Sequence, residues 1–309
     1  MRKFTVAAYY AGIPPNNSNP EKPLILDNYC LGVMMQGDRP IKHLQPTLVM
    51  SDVAILQGFV HENSKTSPHL VLRKKILDFQ KENSKKTLIV DSNLFLYADP
   101  GNTKTYLRYS YDGVFPSTGF YFDKHIDPSR WSRIKQNLGL SLKDYRKNGS
   151  HVLICLQRNG GWSMQGLNSL EWLNSTINIV KKFTDRPIIV RAHPGDKTTK
   201  QSLKINLPNV SVSKQPSLIE DLKNAWATIV YNSSPSIASL IEGIPVFLTD
   251  PKPENSQSFE VGNTNLSKIE TPDLFDRQKW IEKISMCHWN FDELKSGEAW
   301  RFMKDYVDQ

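Results

Sequence analysis

From His151 to Gln157 the chain reads HVLICLQ, an apolar run of strand length, and the loop RNGGWSMQG follows it. Leu170, Leu173, Ile177 and Val180 then recur at helical spacing, and DRP leads into a second buried strand, IIVRAHP. VSVSKQ reads as a weaker third strand. Leu218, Leu222 and Trp226 mark another helix, and ATIVY is a fourth strand that runs into Asn232-Ser233-Ser234. A short helix starts at Pro235, and PVFLT is a fifth strand. Strands that are apolar throughout and alternate with helices predict a parallel sheet covered on both faces.

The first half is less regular. FTVAAYY, the region from Leu48 to Val60 and TLIVDS (87–92) have strand character, and PHLVLRKKILDFQKEN (68–83) is an amphipathic helix between the last two. That is again an α/β order. From Asn93 to Asp127 the chain is rich in Tyr, Gly, Pro and Asp, which predicts loops and short strands. SLKDYRKNGS (141–150) is polar and ends in Asn-Gly-Ser, so the domain boundary is expected there, with domains over 1–148 and 149–285. FDELKSGEAWRFMKDYV predicts one or two short helices in a last segment, 286–309.

Length and composition agree with this division. A chain of 309 residues fits two domains of ordinary size, and no apolar run approaches the ~20 residues of a membrane span. The first fifteen residues, MRKFTVAAYYAGIPP, are basic, but their short apolar stretch broken by Pro14 and Pro15 predicts a first strand and not a signal peptide. The three cysteines, Cys30, Cys155 and Cys287, are few and scattered, which points to a reducing compartment, the cytoplasm, and to neither a disulfide framework nor a zinc site. The net charge of +8 lies wholly in the first half: residues 1–148 hold 21 Lys and Arg against 13 Asp and Glu, and the remainder holds 18 of each. That excess suits either an acidic partner or a plain solvated surface.

Ligands of an open parallel sheet bind beyond the carboxyl ends of its strands. Three loops of the second half fall at that edge. Arg158-Asn159-Gly160-Gly161-Trp162-Ser163 offers paired glycines whose amides can approach a ligand. Arg191-Ala192-His193-Pro194-Gly195-Asp196 ends a strand. Asn232-Ser233-Ser234 places Ser234 to cap a helix with Pro235 at its first position, and Ser236 follows. Amides at a helix start, small hydroxyls, Arg158, Arg191 and His193 together predict a site for a phosphate or diphosphate.

A strand ending in R-x-H-P, then, about forty residues on, a strand running into N-S-S, a short helix and G-I-P-V-F resembles the nucleotide-sugar-binding domain of GT-B glycosyltransferases, in particular capsule-type and phage-encoded ones. The resemblance covers residues 151–250, and the first half by topology alone. It implies an α/β GT-B fold, two Rossmann-like domains with parallel sheets facing across a cleft, and a C-terminal helical segment that packs back on the first domain. It implies a nucleotide sugar, a UDP-sugar foremost, as donor in the second domain, with His193 and the 232–234 turn against its phosphates or sugar, and the acceptor on the first domain. One position departs from the pattern: the acid that often holds the nucleotide ribose, five residues before G-I-P, falls on Ala238, and Glu242 is the one acid nearby.

Enzymes of this fold commonly stabilise the departing diphosphate with cations and a helix N-terminus, and no Asp-x-Asp pair or His/Cys cluster here suggests a tightly bound metal. An inverting transferase needs one base for the acceptor hydroxyl. Asp91, at the end of TLIVDS, is the first candidate, with Asp99, Asp112, His61 and Glu62 behind it. For the acceptor, Lys104, Arg108 and Tyr109 stand out in a run that also holds Tyr106 and Tyr111, a mixture of cations and aromatics that suits a nucleic acid. Phage enzymes that glycosylate 5-hydroxymethyl pyrimidines in double-stranded DNA have this fold, so modified DNA is the acceptor expected first. A capsule or lipopolysaccharide glycosyltransferase, and a non-catalytic nucleic-acid-binding protein on a transferase scaffold, are its rivals. The alternating tyrosines also fit a strand with one buried face.

Overall fold

A computed structural model of the chain describes residues 2–13, 21–58, 67–91, 95, 106–158, 162–196, 199, 201 and 203–309. The chain divides into two compact units, one formed by Met1–Trp131 with Lys283–Gln309, the other by Ser132–Glu282.

The first unit holds β1 (Thr5–Tyr9), α1 (Glu21–Met35), β2 (Arg39–His43), β3 (Val53–Gln57), α2 (Pro68–Glu82), β4 (Lys86–Asp91) and β5 (Leu107–Tyr111), and α3 (Pro128–Leu138) begins in it. Its sheet has the order β11-β5-β4-β3-β1-β2, where β11 is His288–Trp289 from the returning C-terminal segment. β2, β1, β3 and β4 run parallel, while β5 and β11 are antiparallel additions at one edge. Alternation sorts the strand residues to two faces. Val6, Ala8, Val53 and Ile55 pack with α1 and with Phe291, Leu294, Trp300 and Met303 of the C-terminal segment. Ala7, Tyr9, Ala54 and Leu56 pack with Leu72 and Ile76 of α2.

The C-terminal segment is held in the first unit by close backbone packing. It contributes α8 (Phe291–Lys295) and α9 (Glu298–Met303) after α7 (Gln278–Ser285). A Cβ at Gly32 of α1 would stand 2.0 Å from the Leu294 carbonyl oxygen, so only glycine permits this approach. His288 is fully buried there. Its Nδ1–H donates to the Ile284 carbonyl oxygen (2.6 Å), its Nε2 has no hydrogen-bond partner among the described residues, and burial pushes it down to about 3 from an ordinary value of 6.5. An unfolded chain takes up this proton as pH drops below 6.5, and the folded one does not until about 3. The group's contribution to stability is therefore complete above pH 6.5 and is lost on the way down, by up to about 1.4 kcal/mol per pH unit. Urea midpoints at pH 7 and pH 5 should differ less for His288→Asn than for the wild type, and an equal pH dependence would refute this.

The second unit carries β6 (His151–Cys155), α4 (Ser169–Val180), β7 (Ile188–Arg191), β8 (Val210–Val212), α5 (Leu218–Leu222), β9 (Ala225–Val230), α6 (Pro235–Ile241) and β10 (Val246–Leu248). All five strands are parallel, in the order β10-β9-β6-β7-β8. Val152, Ile154, Val190, Ala227 and Ile229 meet Trp172, Leu173, Ile177 and Val180 of α4 on one face. Trp226, expected on a helix, is the second residue of β9: the helix before it ends at Leu222, and Arg186 covers its ring at 4.4 Å. Residues 132–148 lie with this unit. The Lys143 and Arg146 amides donate to the Ile241 and Gly243 carbonyls, and Arg277 stacks on Tyr145 at 3.8 Å.

All three cysteines are free and buried. Among the described residues no helix is long and apolar enough to cross a membrane.

Candidate functional site

The central strands of the second sheet, β9, β6 and β7, are neighbours, so the loops that leave their carboxyl ends share one edge. Side chains lock two of these loops together. Gln157 Nε2 donates to Ser163 Oγ (2.9 Å), and its Oε1 accepts the Asn232 amide (3.1 Å). Asn232 Nδ2 donates to the Ser163 carbonyl oxygen (3.1 Å) and to Asp250 Oδ2 (2.7 Å). Asp250 also accepts from Asn255 Nδ2 and from the Lys252 amide. Gln157, Asn232, Asp250 and Asn255 are all buried, so each bond here replaces water that the groups have given up. Asn232 and Ser163, expected as ligand contacts, thus serve first as the frame of the site. The sequence reading missed Gln157 and Asp250, although each ends an apolar run on this edge, which is the position of interest.

The third loop carries the imidazole, and Arg158 of the first loop reaches it. His193 Nδ1 accepts the Gly195 amide (3.1 Å), which leaves Nε2 as the donor of the neutral ring. Exposed Arg158 reaches the Gly195 carbonyl with Nη2 (3.4 Å). A side chain at Gly195 would stand 2.6 Å from Arg158 Nη2 and 3.3 Å from the His193 ring, so the two groups meet on this turn.

Three expectations at this edge need correction. Arg191 is engaged within the fold: its Nη1 donates to Asp221 Oδ2 (2.6 Å) and to the Gln215 carbonyl (3.2 Å), and Asp221 accepts Ser213 Oγ as well. Such a buried carboxylate claims the nearest guanidinium. Ser236 is 1% exposed and is hydrogen-bonded to the Ser233 carbonyl and Ser258 Oγ, inside the fold. Ser234 stands at the N-cap position of α6 but has helical backbone angles and makes no side-chain cap bond. Ser233 Oγ is buried with no hydrogen-bond partner among the described residues. Asn159, Gly160 and Gly161 lie outside the described residues, as does the side chain of Trp162.

In the first unit Asp91 ends β4 and stands opposite Arg108 of β5. Arg108 Nη2 donates to Asp91 Oδ2, and the two side chains are 9% and 21% exposed. Tyr109, expected to meet an acceptor, is a core residue with no exposed surface, and Tyr106 and Tyr111 are equally buried. β5 lies between β4 and β11, so both of its edges are paired, and all five of its residues are buried, on both faces. Arg108, 8% exposed and bound to Asp91, is likewise no surface cation. Asp112 sits at the opposite end of β4, where it accepts the Thr87 amide (2.8 Å), far from the edge that Asp91 occupies. Lys104, Asp99, His61 and Glu62 lie outside the described residues. Among the described residues no three His, Cys, Asp or Glu side chains cluster as metal ligands would.

The fold, two units each built on a mainly parallel sheet with helices and with the chain's end returning to the first, is the GT-B fold. The chain is similar to the beta Kdo 2,4 transferase of Thermosulfurimonas dismutans KpsC, with 12% identity and a TM-score of 0.58 over 93% of this chain and 91% of that one. It is similar also to the beta Kdo 2,7 transferase of the same KpsC, with 11% identity and a TM-score of 0.53 over 98% of this chain and 100% of that one. No protein-family model matches the chain, and no curated protein does.

Proposed function

We propose that this protein is a glycosyltransferase that moves a sugar from a nucleotide-sugar donor, a UDP-sugar foremost, to a hydroxyl group of a glycan. The observation that carries the reading is the meeting of Arg158 and His193 on the Gly195 turn, beside the loops that Gln157 and Asn232 lock together. A cation and an N–H donor at the carboxyl edge of a parallel sheet suit a diphosphate. The acceptor oxygen attacks the anomeric carbon while the bond to the diphosphate breaks. The diphosphate leaves with the bonding pair, and Arg158 and His193 Nε2–H meet its growing charge. Asp91 takes the proton of the attacking hydroxyl. Its Oδ2 is held by Arg108, and Oδ1 carries no hydrogen bond among the described residues. This is the inverting course, with a single displacement.

A glycan is favoured over DNA on two grounds. The two solved structures described above, with TM-scores of 0.58 and 0.53, are named as Kdo transferases. The aromatic and cationic run expected to bind DNA is core at Tyr106 and Tyr109 and an ion pair at Arg108.

Calorimetric titration with UDP, followed by incubation with a panel of nucleotide sugars and glycan acceptors read by mass spectrometry, tests the reading. No binding of any nucleoside diphosphate would remove it. His193→Ala, and separately Ser233→Ala with Ser234→Ala, should each lower donor kcat/KM about tenfold or more with the thermal transition unchanged. Wild-type kinetics in both would withdraw the site assignment.

A further inference from the structure

Strands β4, β3 and β1 lie side by side and parallel in the first sheet, and one guanidinium sits across their carboxyl ends. It belongs to Arg73 on α2, a residue only 6% exposed. Its Nε donates to the carbonyl oxygen of Gly12, beyond β1 (2.8 Å). Its Nη1 lies so near Gly58, just past β3, that a Cβ there would stand 2.9 Å away. Gly58 also has φ +86°, which a side chain would strain. Asp91, at the end of β4, acts on Arg73 through its charge but gives its hydrogen bond to Arg108. Nε is therefore satisfied, while neither Nη nitrogen has a hydrogen bond or ion pair among the described residues.

Other buried arginines of this chain behave differently. Arg108, Arg130 and Arg277 each turn Nη groups onto a carboxylate or carbonyl oxygen. A guanidinium taken out of water with open donors is costly unless something anionic completes it. The surroundings add positive potential. His69, one turn earlier on α2, is pushed down by burial and then by the charges of Arg73 and Lys22, and burial pushes Arg73 itself down to about 10. The helix, of 15 residues, starts with Pro68, which has no N–H, and its Leu70 and Val71 amides donate to the Ser67 carbonyl, so its positive end meets the same edge through the His69 amide.

We propose that Arg73, with His69 and the first turn of α2, forms an oxyanion site at the carboxyl edge of the first sheet, and that it holds a carboxylate or phosphate group of the acceptor. The assignment to the acceptor rests on the transferase reading, whereas the anion site does not. Two Nη donors in one plane suit two oxygens of a single group, a geometry that lysine cannot reproduce. The enzyme's glycan acceptor is then an acidic one, anchored beside the Asp91 carboxylate that receives its proton.

The test uses the whole 15N-labelled chain, with and without UDP, titrated with acetate and separately with inorganic phosphate while the Arg73 Nε–H resonance is followed. The expected result is a saturable shift with at least one of the two anions. Calorimetric affinity should drop about tenfold or more in Arg73→Gln and be partly kept in Arg73→Lys. A stronger response to acetate assigns a carboxylate, and a stronger response to phosphate assigns a phosphate. An Arg73 resonance unmoved by both anions overturns the site, and this is read in the wild-type protein, where folding of variants does not enter. UDP binding in the same samples separates the two ideas. With UDP bound and Arg73 silent, the anion site alone is lost. With Arg73 responsive and no UDP bound, the assignment to an acceptor is overturned.

Discussion

Asp91→Asn should lower sugar transfer by a factor of about a hundred to ten thousand, the range that a positioned general base supplies, while UDP affinity stays at its wild-type value. Affinity should hold because the proposed donor groups, Arg158 and His193, belong to the second unit and Asp91 to the first. The substitution has a second effect that the sequence did not reveal. Asp91 is the counter-charge of Arg108, whose side chain is only 9% exposed, and an amide would leave that guanidinium without an ion partner. Removing one member of a buried pair costs about 3–5 kcal/mol, and the 21% exposure of Asp91 places this case toward the lower end or below. A drop in melting temperature should thus accompany the loss of turnover. The two are separated by measuring transfer well below the new transition, where the folded fraction is complete. Near-wild-type transfer there would return the base to another group, and Asp112 is a poor heir because it sits at the far end of β4.

That Asp91 stands at a strand end was legible, because TLIVDS is a plain apolar run that stops at the aspartate. That it is bound to Arg108 was not. The pairing joins β4 to an antiparallel neighbour across a stretch with no periodic pattern, and strand adjacency is a long-range fact that local spacing does not encode. Tyr109 was misplaced for the same reason. YLRYSYDG has the alternation of a strand with one wet face, but β11, supplied from the far end of the chain, closes the second edge. α1 left little trace: Ile25, Leu26, Tyr29 and Val33 are core while Leu24, Leu31, Met34 and Met35 are exposed, so apolar residues surround the helix and no single stripe appears. In the second unit the strands are apolar throughout and alternate with helices, so their order and direction could be read directly.

At the donor edge, the sequence identified the loops but not the duty of each side chain. Arg158, Arg191 and His193 are equally polar and equally near strand ends. What separates them is Asp221, a carboxylate buried by α5, which takes Arg191 and leaves Arg158 exposed. Asn232 and Ser236 are bonded within the fold, since buried polar side chains must be satisfied from within before they can serve a ligand.

The other large effect expected is on stability, and it concerns Glu293. Its carboxylate takes Arg130 Nη1 (2.6 Å) and Nη2 (3.3 Å), and its Oε2 accepts the Asn290 amide (2.9 Å), while Asn290 Oδ1 accepts the Glu293 amide (2.9 Å) and closes a capping box on α8. Arg130 also donates to the His288 carbonyl and lies over the Trp289 ring at 3.8 Å. The two charged side chains are 4% and 7% exposed, so water cannot replace either partner. Glu293→Ala would leave the guanidinium buried without its ion partner, with its Nε already lacking an acceptor among the described residues, and would remove the side-chain half of the capping box while the backbone bond to Asn290 Oδ1 stays. A loss of about 3–5 kcal/mol is expected from the pair and about 1 kcal/mol from the cap. Glu293→Gln keeps the shape and the cap but not the charge, and should fall between alanine and wild type. The double change Arg130→Met with Glu293→Leu should cost clearly less than the two single changes together, because it removes both charges and leaves neither stranded. Urea unfolding with a common slope measures the wild type and all five variants. A Glu293→Ala midpoint equal to wild type would mean that this segment, which supplies β11 to the first sheet, is held by its apolar contacts alone.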